Sequence, residues 1–216
     1  PLMRNHTKAL LVASIIGLSV HASHSLADGH NPLKDPSFED QLPADEGGWG
    51  LFESSLFSDS QARTGSHSMY NGGLSKTVAY HPYFIGNVSG SFQEFPAEPG
   101  SRWQLTGYGM AVVKLLGTPA FGIVQISFFD ADGNDLGTVE TKDAAARAKT
   151  SNEVNNQSPV GEWVFLNTGI ATAPKGTATV QAFTLYVDFS GRNTAQGVYF
   201  DDLALCNVDS GDCEVE

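Results

Sequence analysis

Residues 123–140 read IVQISFF-DADGN-DLGTVE, and this stretch decides the fold class. Ile123 to Phe129 is a β-branched and aromatic run, Asp130-Ala131-Asp132-Gly133-Asn134 is a turn, and Leu136 to Glu140 resumes an extended run. β-Branched and aromatic side chains fit a pleated surface, and D-G and N-D pairs favour tight turns. The arrangement recurs on both sides. Upstream, Ser91 to Phe95 ends at Pro96, Glu98-Pro99-Gly100-Ser101 is a turn, and Arg102 to Val113 sets Trp103 and Leu105 against Gln104, Thr106 and Tyr108. Downstream come Trp163 to Asn167, Ala178 to Phe189 and Val198 to Leu205. Period-two patterning at this spacing predicts an all-β chain folded as a β-sandwich or barrel. Lys142 to Val160 is polar, with an AAARA patch at 144–148, and reads as a long surface loop.

The chain has 216 residues, the size of a single domain. It carries 24 acidic against 12 basic residues, a net charge of −12. That balance excludes nucleic acid and anionic lipid as partners, since both need clustered Lys and Arg to replace counterions. With 41% hydrophobic residues, 13 of the chain's residues Phe and only 17% charged, it can bury a core.

The first 27 residues read as something other than this domain. Pro1 and Leu2 precede Met3, the expected start, and Arg4, His6 and Lys8 make a basic region. Ala9 to Val20 is an uncharged apolar run, shorter than the about 20 residues that span a bilayer. Ser25-Leu26-Ala27 has the small-x-small pattern of a signal-peptidase site. The expectation is residues 1–27 as remnant plus signal peptide, residues 28–216 as one domain, and an extracellular or periplasmic location. In an oxidising compartment Cys206 and Cys213 are expected to form a disulfide closing a small loop, worth about 2–3 kcal/mol.

Enzyme signatures are scarce. There is no G-x-S-x-G elbow and no H-E-x-x-H. Asp130, Asp132 and Asn134 fail the calcium-loop pattern because Gly133 falls at the fourth position rather than the sixth. Beyond Ala27 only His30, His67 and His81 are available for general-base work. The adjacent acids Glu39-Asp40 and Asp201-Asp202 point to opposite faces of a strand and cannot flank one bond. No catalytic residues are expected.

Five segments, in order, resemble the jelly-roll carbohydrate-binding modules attached to bacterial xylanases, cellulases and β-glucanases. Asp35-Pro36-Ser37-Phe38-Glu39 followed by Trp49 is similar to the family's N-P-x-F-E…W opening. Thr64 to Met69 (TGSHSM) resembles its G-x-x-S-L strand, and Phe92-Gln93, Pro99-Gly100 and Trp103-Gln104-Leu105 resemble the next stretch. Trp163-Val164-Phe165 with Pro174, and Val198-Tyr199-Phe200-Asp201-Asp202-Leu203, are similar to its closing segments. The resemblance implies a jelly roll and a structural calcium shared by Glu39 and Asp201, with main-chain help near Ser37 and Ser66. Two carboxylates brought together from distant parts of the chain repel unless a hard cation lies between them. The family positions also assign Trp49, Trp103 and Trp163 to the core.

Sugar rings stack on aromatic faces and hydrogen-bond to placed polar groups. Opposite Trp103 and Leu105 lie Gln104, Thr106 and Tyr108; opposite Phe183, Leu185, Val187 and Phe189 lie Thr184, Tyr186 and Asp188. These two triplets are the expected groove, joined by Tyr80 and Tyr83 from the YHPYF run at 80–84. The function expected is that of a secreted, non-catalytic polysaccharide-binding module, its ligand a neutral glycan. A surface or biofilm-matrix adhesion protein using the same sandwich for protein contacts, and a small glycan-active hydrolase or lyase, are the alternatives.

Overall fold

The alternating runs become strands of two packed antiparallel sheets in the computed structural model, which describes residues 31–73, 87–115, 120–137, 149–189 and 196–210. The strands are β1 (Gly50–Phe52), β2 (Ser55–Ser58), β3 (Ser68–Gly72), β4 (Asn87–Pro96), β5 (Arg102–Met110), β6 (Ala120–Phe129), β7 (Lys149–Thr150), β8 (Val164–Asn167), β9 (Ala171–Thr172), β10 (Thr179–Asp188) and β11 (Gly197–Asn207). One sheet has five strands in the order β1-β4-β10-β6-β7. The other has six, in the order β2-β3-β11-β5-β8 with β9 also pairing β5. The architecture is an all-β, two-sheet jelly-roll sandwich.

The two inner faces make the core. Trp103 and Leu105 of β5, Met69 of β3 and Phe200 and Leu205 of β11 meet Val124, Ile126 and Phe128 of β6 and Val180, Ala182 and Tyr186 of β10. Trp49 and Trp103 are buried, as the sequence predicts. Trp163 is not: it is half-buried just before β8, where alternation puts it on the side of Phe165. The core assignment of Trp163 is therefore corrected. β8 is the outermost strand of its sheet, so a side chain beside it has a neighbour on one flank only.

The 31–42 segment explains the opening motif. The Asn31 amide donates to the Leu203 carbonyl and accepts from Leu205 N–H, and Pro36 O accepts from Leu203 N–H. Trp49 Nε1 donates to Asp35 O, and the Phe38 and Trp49 rings lie 5.0 Å apart. Asp35, Phe38 and Gln41 all have positive φ, at 50°, 60° and 51°. A left-handed phenylalanine costs on the order of 1–3 kcal/mol, offset here by a fully buried ring.

The Asp130–Asn134 turn forms as expected: the Asp130 carboxylate accepts from Asp132 N–H, Asn134 N–H and the Asn134 amide. Beyond it, Asp135 bridges back to Phe129 and Leu136 N–H donates to Phe128 O; residues 138–140 lie outside the described residues. The expected surface loop at 142–160 is partly sheet. Lys149–Thr150 pairs with β6, and Val154, fully buried, bridges Gly122. One buried apolar anchor, Val154, in a polar sequence suffices for this, because the strand edge supplies the hydrogen bonds.

Candidate functional site

The outward face of the six-stranded sheet collects one of the two expected triplets. On β5, Gln104, Thr106 and Tyr108 point away from Trp103 and Leu105. In register beside them on β8 are Asn167 opposite Thr106 and Phe165 opposite Tyr108. Gln104 is buried and its amide donates to Asn167 Oδ1 at 2.8 Å, while Thr106 and Tyr108 are half-buried. Phe165 is 42% exposed, with its ring 5.3 Å from that of Tyr108. Asn152 holds the free edge of β8: its amide donates to Phe165 O and its oxygen accepts from Asn167 N–H. Across β11 the same face carries Tyr199, paired with Tyr70 of β3, which pairs in turn with the exposed Leu56 of β2.

Thr184, Tyr186 and Asp188 do not join this face. They lie on the other sheet and point into the sandwich, each fully buried. Asn71 of β3 donates to Thr184 Oγ1 at 2.8 Å, and Ser91 Oγ lies 2.7 Å from the same oxygen. The outward face of β10 is instead the apolar one: Phe183, Leu185 and Val187 cluster with Ile123 and the half-buried Phe52, Phe92, Phe121 and Phe189. The expected two-strand groove is therefore corrected on both counts, since β5 and β10 belong to different sheets and β10 is turned the other way. Replacing Thr184 by Val tests the placement. It strands the Asn71 amide in the interior and is expected to cost about 1–3 kcal/mol in a urea melt. A change within experimental error would put Thr184 back at the surface.

Glu39 and Asp201 flank one loop, Arg63–His67. Both Glu39 oxygens accept main-chain N–H groups, from Ser66 at 2.9 and 3.0 Å and from His67 at 2.9 Å. Those bonds, with His67 as the larger contributor, hold its carboxyl below the usual range. Gly65, at φ 61°, lets the loop close on the carboxylate; a Cβ there would run into it. Asp201 is fully buried where β11 bulges, and accepts from Arg63 N–H, Thr64 N–H and Asp202 N–H. Burial pushes its carboxyl up to about 6, with Arg63 N–H opposing and the Asp202 charge adding. In Asp202 burial acts the same way, but is outweighed by bonds from Thr64, Arg63 and Ser37, and its carboxyl sits low. Arg63 also lies over the Tyr108 ring, 3.5 Å from its centroid, so the acid locus and the aromatic face share one side chain. Among the described residues no three His, Cys, Asp or Glu side chains converge as a metal cluster.

This architecture matches solved structures of sugar-binding domains. The C-terminal family 22 carbohydrate-binding module of Clostridium thermocellum Xyn10B superposes with a TM-score of 0.52 at 14% identity, covering 85% of this chain and 99% of that one. A xylan-binding domain of the same family gives 0.50 at 14% identity, covering 87% and 98%. The chain shares the jelly-roll fold of family 22 carbohydrate-binding modules. The enzymatically active domain of bacteriophage CBA120 tailspike protein 4 also contains such a unit, with TM-score 0.51 and 14% identity over 82% of this chain; the match spans only 21% of the tailspike domain. No family model matches the sequence, and no curated protein does.

In this module-like sandwich Tyr80 and Tyr83 lie outside the described residues, as do Cys213 and residues 1–30. The sequence reading missed Asn167, Phe165, Tyr70, Tyr199 and Arg63 as members of the outward face. Tyr199 was within reach of it, because alternation in VYFDDL sets Tyr199 against Val198 and Phe200; Arg63 sits on a loop, where no period exists to read.

Proposed function

We propose that this chain is a non-catalytic polysaccharide-binding module whose ligand lies on the outward face of the six-stranded sheet. The observation that carries the reading is the exposed Phe165 beside Tyr108, Thr106 and the Gln104–Asn167 pair, an aromatic surface flanked by fixed polar groups. Such a mixture suits sugars, whose rings have an apolar C–H side and a hydroxyl rim. Among the described residues, Arg63 over Tyr108 is already paired with Asp202 and Arg102, two residues before Gln104 on β5, with Asp209, each at 2.6 Å, which favours a neutral glycan over an acidic one.

Three supports complete the reading. A structural calcium would be held by Glu39 and Asp201: the locus offers carboxylate and hydroxyl oxygens, the donor type that hard cations take. Export accords with the N-terminal pattern, and no helix among the described residues is long and apolar enough to cross a membrane. The Cys206–Cys213 disulfide would secure the end of β11, where Arg102 already pairs with Asp209 at 2.6 Å.

Affinity gel electrophoresis over soluble xylan, hydroxyethylcellulose, galactan and alginate tests the proposal. The protein is expected to be retarded by a neutral glycan, and Phe165→Ala to weaken that retardation about tenfold. No retardation by any of the four defeats the module reading and favours a protein-contact role. Release of reducing sugar from the gel substrate would point to an enzyme.

A further inference from the structure

Tyr70 is laid down on the sheet rather than standing up from it, and two glycines make the bed. Gly72 and Gly197 are paired across β3 and β11, next to Tyr70 on the same outward face. A Cβ at Gly72 would sit 2.6 Å from Tyr70 Cε1, and all three of its nearest neighbours would be atoms of that phenol group. A Cβ at Gly197 would sit 2.5 Å from Tyr70 Cζ and 2.6 Å from Cε2. Real Cβ atoms do not approach so closely, so a side chain at Gly72 lifts the ring, and one at Gly197 would have to displace both the ring and the Asn71 carbonyl. Tyr199 flanks it with a centroid distance of 4.8 Å and an interplanar angle of 49°. The cross-strand row Leu56, Tyr70, Tyr199, Met110 carries no charge, in a chain whose net charge is −12. An acidic ligand would meet no counter-charge there.

We infer that Tyr70, held flat by Gly72 and Gly197, is a stacking platform for a neutral pyranose of the glycan, with the Tyr70 and Tyr199 hydroxyls at its rim. A flat ring beside a glycine pair offers one whole aromatic face to a ligand, whereas an upright ring packed between neighbours offers an edge. Burial, with the neighbouring Tyr199 adding, raises the Tyr70 phenol above its ordinary value, so it stays protonated and can donate a hydrogen bond. The inference rests on the proposed sugar-binding reading and adds to it a second contact point, on the opposite side of Arg63 from Phe165. Gly72 is then a positioning residue: it touches no ligand and acts through the ring.

The test uses the intact protein and the glycan that retards the wild type. Tyr70→Ala is expected to weaken retardation about tenfold, while Tyr70→Phe, which keeps the face, stays within about threefold. Gly72→Ala is expected to weaken it too, with a melting temperature close to wild type and a changed tyrosine near-UV circular dichroism band, because only the far end of one side chain has to move. Wild-type retardation by both folded Tyr70→Ala and Gly72→Ala overturns the inference and leaves the module reading standing. Should Tyr70→Ala fail to fold, Gly72→Ala with an altered tyrosine band and unchanged retardation overturns it alone. Absence of retardation in the wild type defeats both readings together.

Discussion

Trp103→Ala is expected to lower the stability of this protein by about 3–5 kcal/mol, seen as a fall in the urea midpoint at constant slope. Trp103 is 1% exposed, at the meeting of β5 with both β9 and β11. Its indole N–H donates to Ser101 Oγ at 2.8 Å, so the variant removes a satisfied polar contact together with the largest side chain of the inner face. Backbone pairing on both sides of β5 keeps the sheet from closing over the hole, and an uncollapsed cavity makes such substitutions expensive. Natural domains hold about 5–15 kcal/mol in all, so the variant is expected to be near the limit of folding at body temperature. A loss below 1 kcal/mol would mean that the tryptophan is not where the sandwich puts it.

Asp201→Ala ranks second, at about 3 kcal/mol, because it strands main-chain donors rather than leaving a void. Arg63, Thr64 and Asp202 point their N–H groups at one buried carboxylate, at 2.7, 3.2 and 2.8 Å. Asp201→Asn keeps one acceptor oxygen and is expected to lose less. The same group gives the protein a pH signature. Its carboxyl is raised from 3.8 to about 6, chiefly by burial, so its protonated form is favoured in the fold. The contribution is complete below the unfolded value and disappears as pH rises through the folded one. The main-chain N–H of Arg63 lowers the value, and the neighbouring Asp202 charge raises it. The melting temperature without added cation is therefore expected to slope downward between pH 4 and pH 6 in the wild type, and less so in Asp201→Asn. If calcium sits beside Asp201 as proposed, adding it should cancel that slope and a chelator should restore it. Calcium at a hundredfold over its dissociation constant contributes about 2.7 kcal/mol. A melting curve blind to both calcium and chelator removes the metal from the proposal and leaves the amide-bound acid pair.

What the sequence made legible follows from how many sides of an element are buried. β5 has one apolar and one mixed face, and the assignment of Trp103 and Leu105 inward, with Gln104, Thr106 and Tyr108 outward, agrees with the structure. β10 has a face of Phe183, Leu185 and Val187 that any alternation rule sends to the core, yet that face looks away from the sandwich. Its partner face could go inside because Asn71 and Ser91 supply hydrogen bonds to Thr184. Where a strand is covered on both faces, period alone cannot say which one meets the other sheet. The Asp35–Glu39 motif was legible as a motif, but its physical content lies in contacts with Trp49 and Leu203, 14 residues and more than 160 residues away. Trp163 failed for a related reason: a tryptophan carries no mark of whether its strand will be central or at an edge.

The strand order has a consequence for synthesis. β10 and β11, the last two strands in chain order, are the middle strands of their sheets. Until residues 179–207 have left the ribosome, β4 has no β6 to reach and β3 has no β5, for in each sheet the keystone is missing. Early segments can make only the flanking pairings, β1–β4 and β6–β7 in one sheet and β2–β3 and β5 with β8 and β9 in the other. The ladders that join those halves wait on long-range closure by β10 and β11, a topology that favours slow folding. A nascent chain that stays open until its last strands emerge is one that a translocation channel can still thread, and deletion of β11 alone would leave two half-sheets with no centre.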